Sequence, residues 1–143
     1  MVRELALADA EAAARLSGEL GYPVSAQQMA ARISAQTHLP DHVTYVAAEP
    51  DSGVVGWIDV GIVHHLQADP YAEIGGLVVS NHVRSLGIGR KLLARAEAWA
   101  VERRVQRVVV RSQIARERAH QFYLREGYQR TKTSAVFAKD LDV

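Results

Sequence analysis

Apolar and polar positions along this chain follow two periods. Between residues 88 and 100, Ile88, Leu92, Leu93, Ala96, Trp99 and Ala100 recur at helical spacing with charged residues between them. One core-facing stripe of that kind predicts an amphipathic helix. Alanine-rich sequence after Asp9 predicts a helix to Leu20, which Gly21 can end. Ser25-Ala-Gln-Gln28 reads as a capping box that opens a second helix to Gln36, with Met29 and Ile33 on its buried face. A further helix is expected over residues 115–126, stopped by Gly127. Strands are expected at 2–7, 43–48, 54–63, 71–79, 105–110, 128–131 and 135–141. Glu49-Pro-Asp-Ser-Gly53 is a strong turn signal and makes a hairpin of the second and third strands. Gly75 and Gly76 fall inside a strand, which suggests a bulge or a close approach by something else. The short run 105–110 is almost wholly apolar, as a strand buried on both faces requires.

The resulting order is strand, two helices, three strands, helix, strand, helix, two strands. It predicts a mixed α/β (α+β) fold in one domain spanning 1–143, with about six to seven strands and about four helices. A chain of 143 residues that is 48% apolar can bury a real core. Seventeen basic and sixteen acidic side chains leave a net charge of +1, against a broad nucleic-acid footprint. No cysteine is present, which removes disulfides, thiolate metal sites and a cysteine nucleophile; no metal is expected. No apolar run reaches the ~20 residues that a bilayer span needs, so no membrane partner and a cytoplasmic location are expected. The richness in Ala, Arg and Val fits a bacterium with GC-rich DNA.

Arg84-Ser85-Leu86-Gly87-Ile88-Gly89 carries the most chemical information, because it links an apolar strand to a helix. Glycines let the backbone approach a ligand, and the first turn of the helix presents unpaired N–H groups and the positive end of its dipole. Such a turn suits phosphate or pyrophosphate. A dinucleotide fingerprint would need a glycine where Leu92 stands, and a P-loop would need Gly-Lys-Ser/Thr where the chain reads Gly89-Arg90-Lys91-Leu92.

The pattern Arg-x-x-Gly-x-Gly after a strand resembles the acetyl-CoA pyrophosphate loop of the GNAT N-acetyltransferases. A second element strengthens the likeness: Phe122-Tyr123 on a late helix, followed by Gly127-Tyr128. The closing run from Phe137 to Leu141 also looks like the family's last strand, so the matches cover about half of the chain. The resemblance implies the GNAT fold: a mostly antiparallel twisted sheet, splayed between its fourth and fifth strands, with acetyl-CoA as co-substrate. It implies cofactor contacts from Arg84, Ser85, Leu86, Gly87, Ile88, Gly89 and Arg90, largely through backbone N–H groups. It also implies that the backbone of Leu77, Val78 and Val79 holds the pantetheine arm and the oxyanion. Many members place an asparagine after the fifth strand; here Gln113 stands nearest to that role.

The implied reaction is attack of a neutral amine on a thioester. A lysine-type amine titrates near ~10.4, so a proton must leave it, and the departing thiolate benefits from a proton donor. The resemblance makes Tyr123 the candidate acid and Glu73, six residues before Val79, the candidate base. In a regular strand residues 73, 75, 77 and 79 share one face, which would set Glu73 beside the acetyl group. His64, His65 or a water are rivals for the base. Acceptor sites in this fold are built by the first two helices and the loop after the hairpin, where Asp41, Asp69 and Glu73 give a mildly acidic character. The likeness extends to small bacterial members of the aminoglycoside 6'-N-acetyltransferase type. It leaves an aminoglycoside, a polyamine, a small amine or a peptide amine open as acceptor, and a homodimer open as assembly. A non-catalytic acyl-CoA-binding or regulatory module is the alternative.

Overall fold

A computed structural model of the chain describes residues 1–112 and 116–142, and for Arg84, Ser85 and Leu86 the backbone alone. Two compact units emerge, Met1–Arg111 and Ser112–Val143.

The first unit contains β1 (Val2–Glu4), α1 (Ala10–Leu20), α2 (Ala26–Gln36), β2 (His42–Glu49), β3 (Gly53–Val63), β4 (Tyr71–Val79), α3 (Ile88–Glu102) and β5 (Val108–Val110). The strands form one sheet in the order β1-β2-β3-β4-β5. Every pairing is antiparallel except β4 with β5, which is parallel. The family-like mixed architecture is present, with five strands among the described residues where six to seven were expected.

Two helices cover opposite faces of the sheet. Leu16 of α1 packs with Val46, Val54 and Val78, and Leu20 and Trp57 join them. Trp57 Nε1 also donates to the Ala13 carbonyl at 3.3 Å. On the other face a Cβ at Gly56 would lie 3.1 Å from Leu92 and 3.5 Å from Ile88 of α3. Adjacent residues of β2 record the division: Val46 joins the α1 cluster, while Arg95 of α3 lies over the Tyr45 ring at 4.5 Å. The whole predicted stripe of α3 is buried. Leu16 is fully buried, so truncation to alanine costs about 2–5 kcal/mol.

Local signals act as the sequence reads. Ser25 and Gln28 exchange side-chain-to-backbone bonds of 3.0 Å at the start of α2. Gly21, with φ at 104°, closes α1, and the Tyr22 N–H donates to the Ser17 carbonyl at 2.9 Å. Asp9 accepts from Arg3 at 2.8 and 2.9 Å and from the Ala6 N–H at 2.8 Å, which ties β1 to the start of α1.

The second unit holds α4 (Glu117–Arg125). Residues 128–142 carry no strand, contrary to the strands expected at 128–131 and 135–141. Strand propensity alone does not make a strand; a ladder partner must take up the backbone groups. Val136, Phe137 and Leu141 are exposed here, so their alternation is not converted into burial. Among the described residues no helix is long and apolar enough to cross a membrane.

Candidate active site

β4 runs into a turn that prepares the N-terminus of α3. Ser80 caps this turn, accepting from the His82 N–H at 3.5 Å. Residues Asn81–Leu86 form 3-10 turns broken at Val83, where φ is −131°. Gly87 follows at φ 75° and serves at once as the end of the turn and the N-cap of α3. A left-handed N-cap without a side chain leaves the first-turn N–H groups of α3 uncapped by its own residue. Gly87, Ile88, Gly89 and Arg90 supply this rim. Ile88 is 2% exposed, so its side chain belongs to the core and only its backbone faces a ligand. Arg84, Ser85 and Leu86 form the preceding turn by their backbone, and their side chains lie outside the description. Gln113 lies outside the described residues.

β5 pairs with β4 through Ala72, Glu73 and Ile74 only. Farther along, Leu77, Val78 and Val79 pair with Ile58, Trp57 and Gly56 of β3. On the β5 side the ladder among the described residues covers none of these three. A backbone edge of this kind can bind an extended arm as an added strand would. The Val78 side chain meanwhile packs in the α1 cluster.

A β-bulge interrupts β4 at its glycines. Asp59 pairs with Gly76 and Val60 with Ile74, so Gly75 is the extra residue. The bulge changes which residues share a face. Glu73 lies opposite Gly61, whereas Leu77 and Val79 lie opposite Ile58 and Gly56. Odd and even positions of β3 point to opposite faces. Glu73 therefore stands on the α1 side and Leu77 and Val79 on the α3 side, which corrects the expectation that 73, 75, 77 and 79 share one face. Space is tight at both glycines of the bulge. A Cβ at Gly75 would meet Asp59 Oδ2 at 3.0 Å, and a Cβ at Gly76 would meet the Trp57 ring at 2.9 Å.

The α1 face of the sheet is apolar at one end and polar at the other. The Val46–Trp57–Val78 row is apolar, the Thr44–Asp59–Gly76 row is mixed, and the His42–Gly61–Glu73 row is polar. Glu73 Oε1 accepts from Arg111 Nε at 2.9 Å. That bond, with a second to Tyr71, holds the Arg111 guanidinium above its ordinary range. Thr44 Oγ1 donates to Asp59 Oδ1 at 2.9 Å, and His42 Nε2 meets the same oxygen. His42, Thr44, Asp59 and Arg111 escape a motif search. Their signal is polar character at the inward positions of otherwise apolar strands. His64 and His65 are exposed, in contact with Asp41 and Tyr71 respectively.

In the second unit Phe122, Tyr123 and Tyr128 form one aromatic group. Phe122 and Tyr123 meet edge-on at 5.3 Å between centroids, and Tyr123 meets Tyr128 at 5.8 Å. Gly127, with φ at 93°, donates to Leu124, and the Tyr128 N–H donates to the Tyr123 carbonyl at 2.9 Å. This Schellman closure explains the Gly-aromatic pair: the glycine takes the left-handed position, and the next ring folds back on Tyr123. Burial raises the Tyr123 hydroxyl above its usual range, partly offset by Arg116, so the phenol stays protonated.

The family profile "Acetyltransferase (GNAT) family" matches residues 7–128. Aminoalkylphosphonate N-acetyltransferase of Salmonella typhimurium is 36% identical over 117 residues, covering 81% of this chain and 73% of that protein. The fold is shared with aminoglycoside 6'-N-acetyltransferase AAC(6')-Ih of Acinetobacter baumannii at a TM-score of 0.85 and 16% identity, over 99% of both chains. A putative acetyltransferase of Agrobacterium tumefaciens gives 0.85 at 24% identity, over 97% of this chain and 99% of the other. Aminoglycoside N-acetyltransferase AAC(6')-Iy, solved with CoA, gives 0.86 at 15% identity, over 99% and 95%.

Proposed function

The chain belongs to the Acetyltransferase (GNAT) family and is an acetyl-CoA-dependent N-acetyltransferase, and on that premise we propose that its acceptor is a small primary amine that also carries an acidic group. Aminoalkylphosphonates, the class named for the Salmonella relative, are the first candidates.

The observation that carries this reading is the sequence of environments along β4. The uncapped α3 N-terminus suits the pyrophosphate. The open edge at Leu77, Val78 and Val79 suits the pantetheine arm, with one of its N–H groups available to an oxyanion. Past the bulge, Glu73 and Arg111 offer one negative and one positive group side by side. A zwitterionic acceptor matches that pair: the ammonium toward Glu73, the acid toward Arg111.

Glu73 is the carboxylate that draws the ammonium and first accepts its proton, directly or through water. The amine nitrogen then bonds to the acetyl carbon, the carbon–sulfur bond breaks as Tyr123 protonates the leaving thiolate, and the nitrogen's second proton passes through water to restore the Tyr123 phenol. A tyrosine held protonated by burial fits the role of acid.

The test is thiol release from acetyl-CoA with aminomethylphosphonate, a polyamine, an aminoglycoside and a lysine peptide. Aminomethylphosphonate should give the highest kcat/KM. Faster turnover of a cationic acceptor would overturn the zwitterion class, and no release with any amine would overturn transfer to a small amine.

A further inference from the structure

His42, Thr44 and Asp59 stand on the same face as Glu73 and have no part in the steps above. They do not line the sheet by accident of polarity. Asp59 Oδ1 receives Thr44 and His42, while Oδ2 points at the bulge, 3.0 Å from where a Gly75 Cβ would stand. The carboxylate is thus anchored on one oxygen, and its other oxygen lies against the bulge. The His42 ring leans over Gly61, whose Cβ would lie 3.5 Å from His42 Cδ2. Gly61 separates His42 from Glu73 in the same row of the sheet.

We propose that His42, oriented by Asp59, is the proton relay that carries the acceptor's proton away from Glu73 to solvent. The proposal rests on the acetyltransferase reading above. An aspartate bound to one imidazole nitrogen fixes the tautomer: Nε2 carries the hydrogen toward Asp59, and Nδ1 keeps a lone pair. An ammonium must lose a proton before it can attack. The N–H electron pair remains on nitrogen and becomes the new N–C bond, and the proton passes from Glu73 through water to Nδ1, then to bulk solvent. An imidazole can accept a proton on one nitrogen while the other stays bonded to its carboxylate, which suits it to passing a proton on. The side chains of His42 and Asp59 are 19% and 31% exposed, sheltered and yet within reach of water.

The charged surroundings of the dyad are defined. β3 supplies Asp59, and β4 supplies Glu73 with its partner Arg111. Asp41, next in sequence to His42, is engaged by Arg103 and His64. Glu4 of β1 shares a shallow hollow with His42, to which α2 brings Ile33, Gln36 and Thr37. His38 lines the adjoining hollow.

The experiment is a pH–rate profile with acetyl-CoA and aminomethylphosphonate for wild type, H42Q, D59N and H42A with added imidazole. H42Q should lower kcat by on the order of 10²-fold, with KM for acetyl-CoA unchanged. D59N should lower kcat by a similar factor with KM for acetyl-CoA unchanged, because a ring without its carboxylate is no longer held with Nε2 as the donor. Imidazole should restore part of the H42A rate, which a packing role would not allow. H42Q with the wild-type rate and profile overturns the relay. If H42Q melts early, D59N decides: a D59N protein with the wild-type kcat overturns the proposal. A wild type that acetylates no amine removes the function reading itself, which separates the two failures.

Discussion

Glu73 and Leu77 stand four residues apart on β4 and on opposite faces of the sheet, because Gly75 adds a residue that β3 does not match. One insertion thereby assigns two jobs to one strand. Beyond the bulge Leu77 and Val79 face α3, and before it the Glu73 side chain stands on the polar face on the α1 side. Five expected outcomes test this arrangement and other named residues of the chain.

Gly75→Ala and Gly76→Ala separate the two jobs. At Gly76 the added Cβ meets an indole ring packed under α1, so stability should fall by about 1–3 kcal/mol, read by denaturant unfolding. At Gly75 the neighbour is the Asp59 carboxylate, so kcat should fall with a smaller loss of stability. Equal losses of stability would mean that the bulge is only a packing feature.

Gly87→Val should weaken acetyl-CoA binding at least tenfold in titration calorimetry. The position has open space but a φ of 75°, so the penalty comes from the backbone, about 1–2 kcal/mol for an L side chain. Unchanged affinity would remove the α3 N-terminus from the binding site.

Tyr123→Phe should lower kcat on the order of 10²-fold with little change in KM for acetyl-CoA. Burial raises the folded-state pKa of this phenol, so in wild type the acid remains available through neutral and mildly alkaline pH. Its contribution to the rate declines only as pH rises through that elevated value. A variant that keeps the wild-type alkaline limb would exclude Tyr123 as the donor.

Glu73→Gln should raise KM for the amine and lower kcat, most clearly below the acceptor's own pKa. The Glu73 and Arg111 side chains are 30% and 54% exposed, so their ion pair contributes about 1 kcal/mol or less to stability. Melting temperatures of Glu73→Gln and Arg111→Gln should therefore stay close to wild type while activity falls. A large drop in melting temperature would recast the pair as structural.

Asp9 should govern acid stability. Its bonds with Arg3 chiefly, and with the Ala6 N–H, hold its carboxyl below the usual carboxylate range. A depressed folded-state pKa stabilises the protein above the unfolded value of ~3.9, and this is lost as pH falls through the folded one. Asp9→Asn should therefore lower stability at neutral pH by about 1–3 kcal/mol and flatten its decline in acid. Parallel acid-unfolding curves for the two proteins would contradict this.

Much of this protein is determined locally, and such features are legible in the chain alone. The α3 stripe, the Ser25 box and the glycine stops at Gly21 and Gly127 each depend on neighbours within a few residues, as does the turn into Gly87. The glycines of β4 announced an irregularity for the same reason. Tertiary structure decided which face each residue takes. Only the β3 register reveals that Gly75 is the extra residue, and hence that Glu73 parts from Leu77 and Val79. Only strand pairing brings Thr44 to Asp59 across 15 residues of sequence, and Arg111 to Glu73 across 38. The final apolar alternation around Phe137 met the same limit, because a strand exists only where a partner takes its hydrogen bonds. Propensity and capping act along the chain, whereas register, burial and ion pairing act between segments that the sequence does not place side by side.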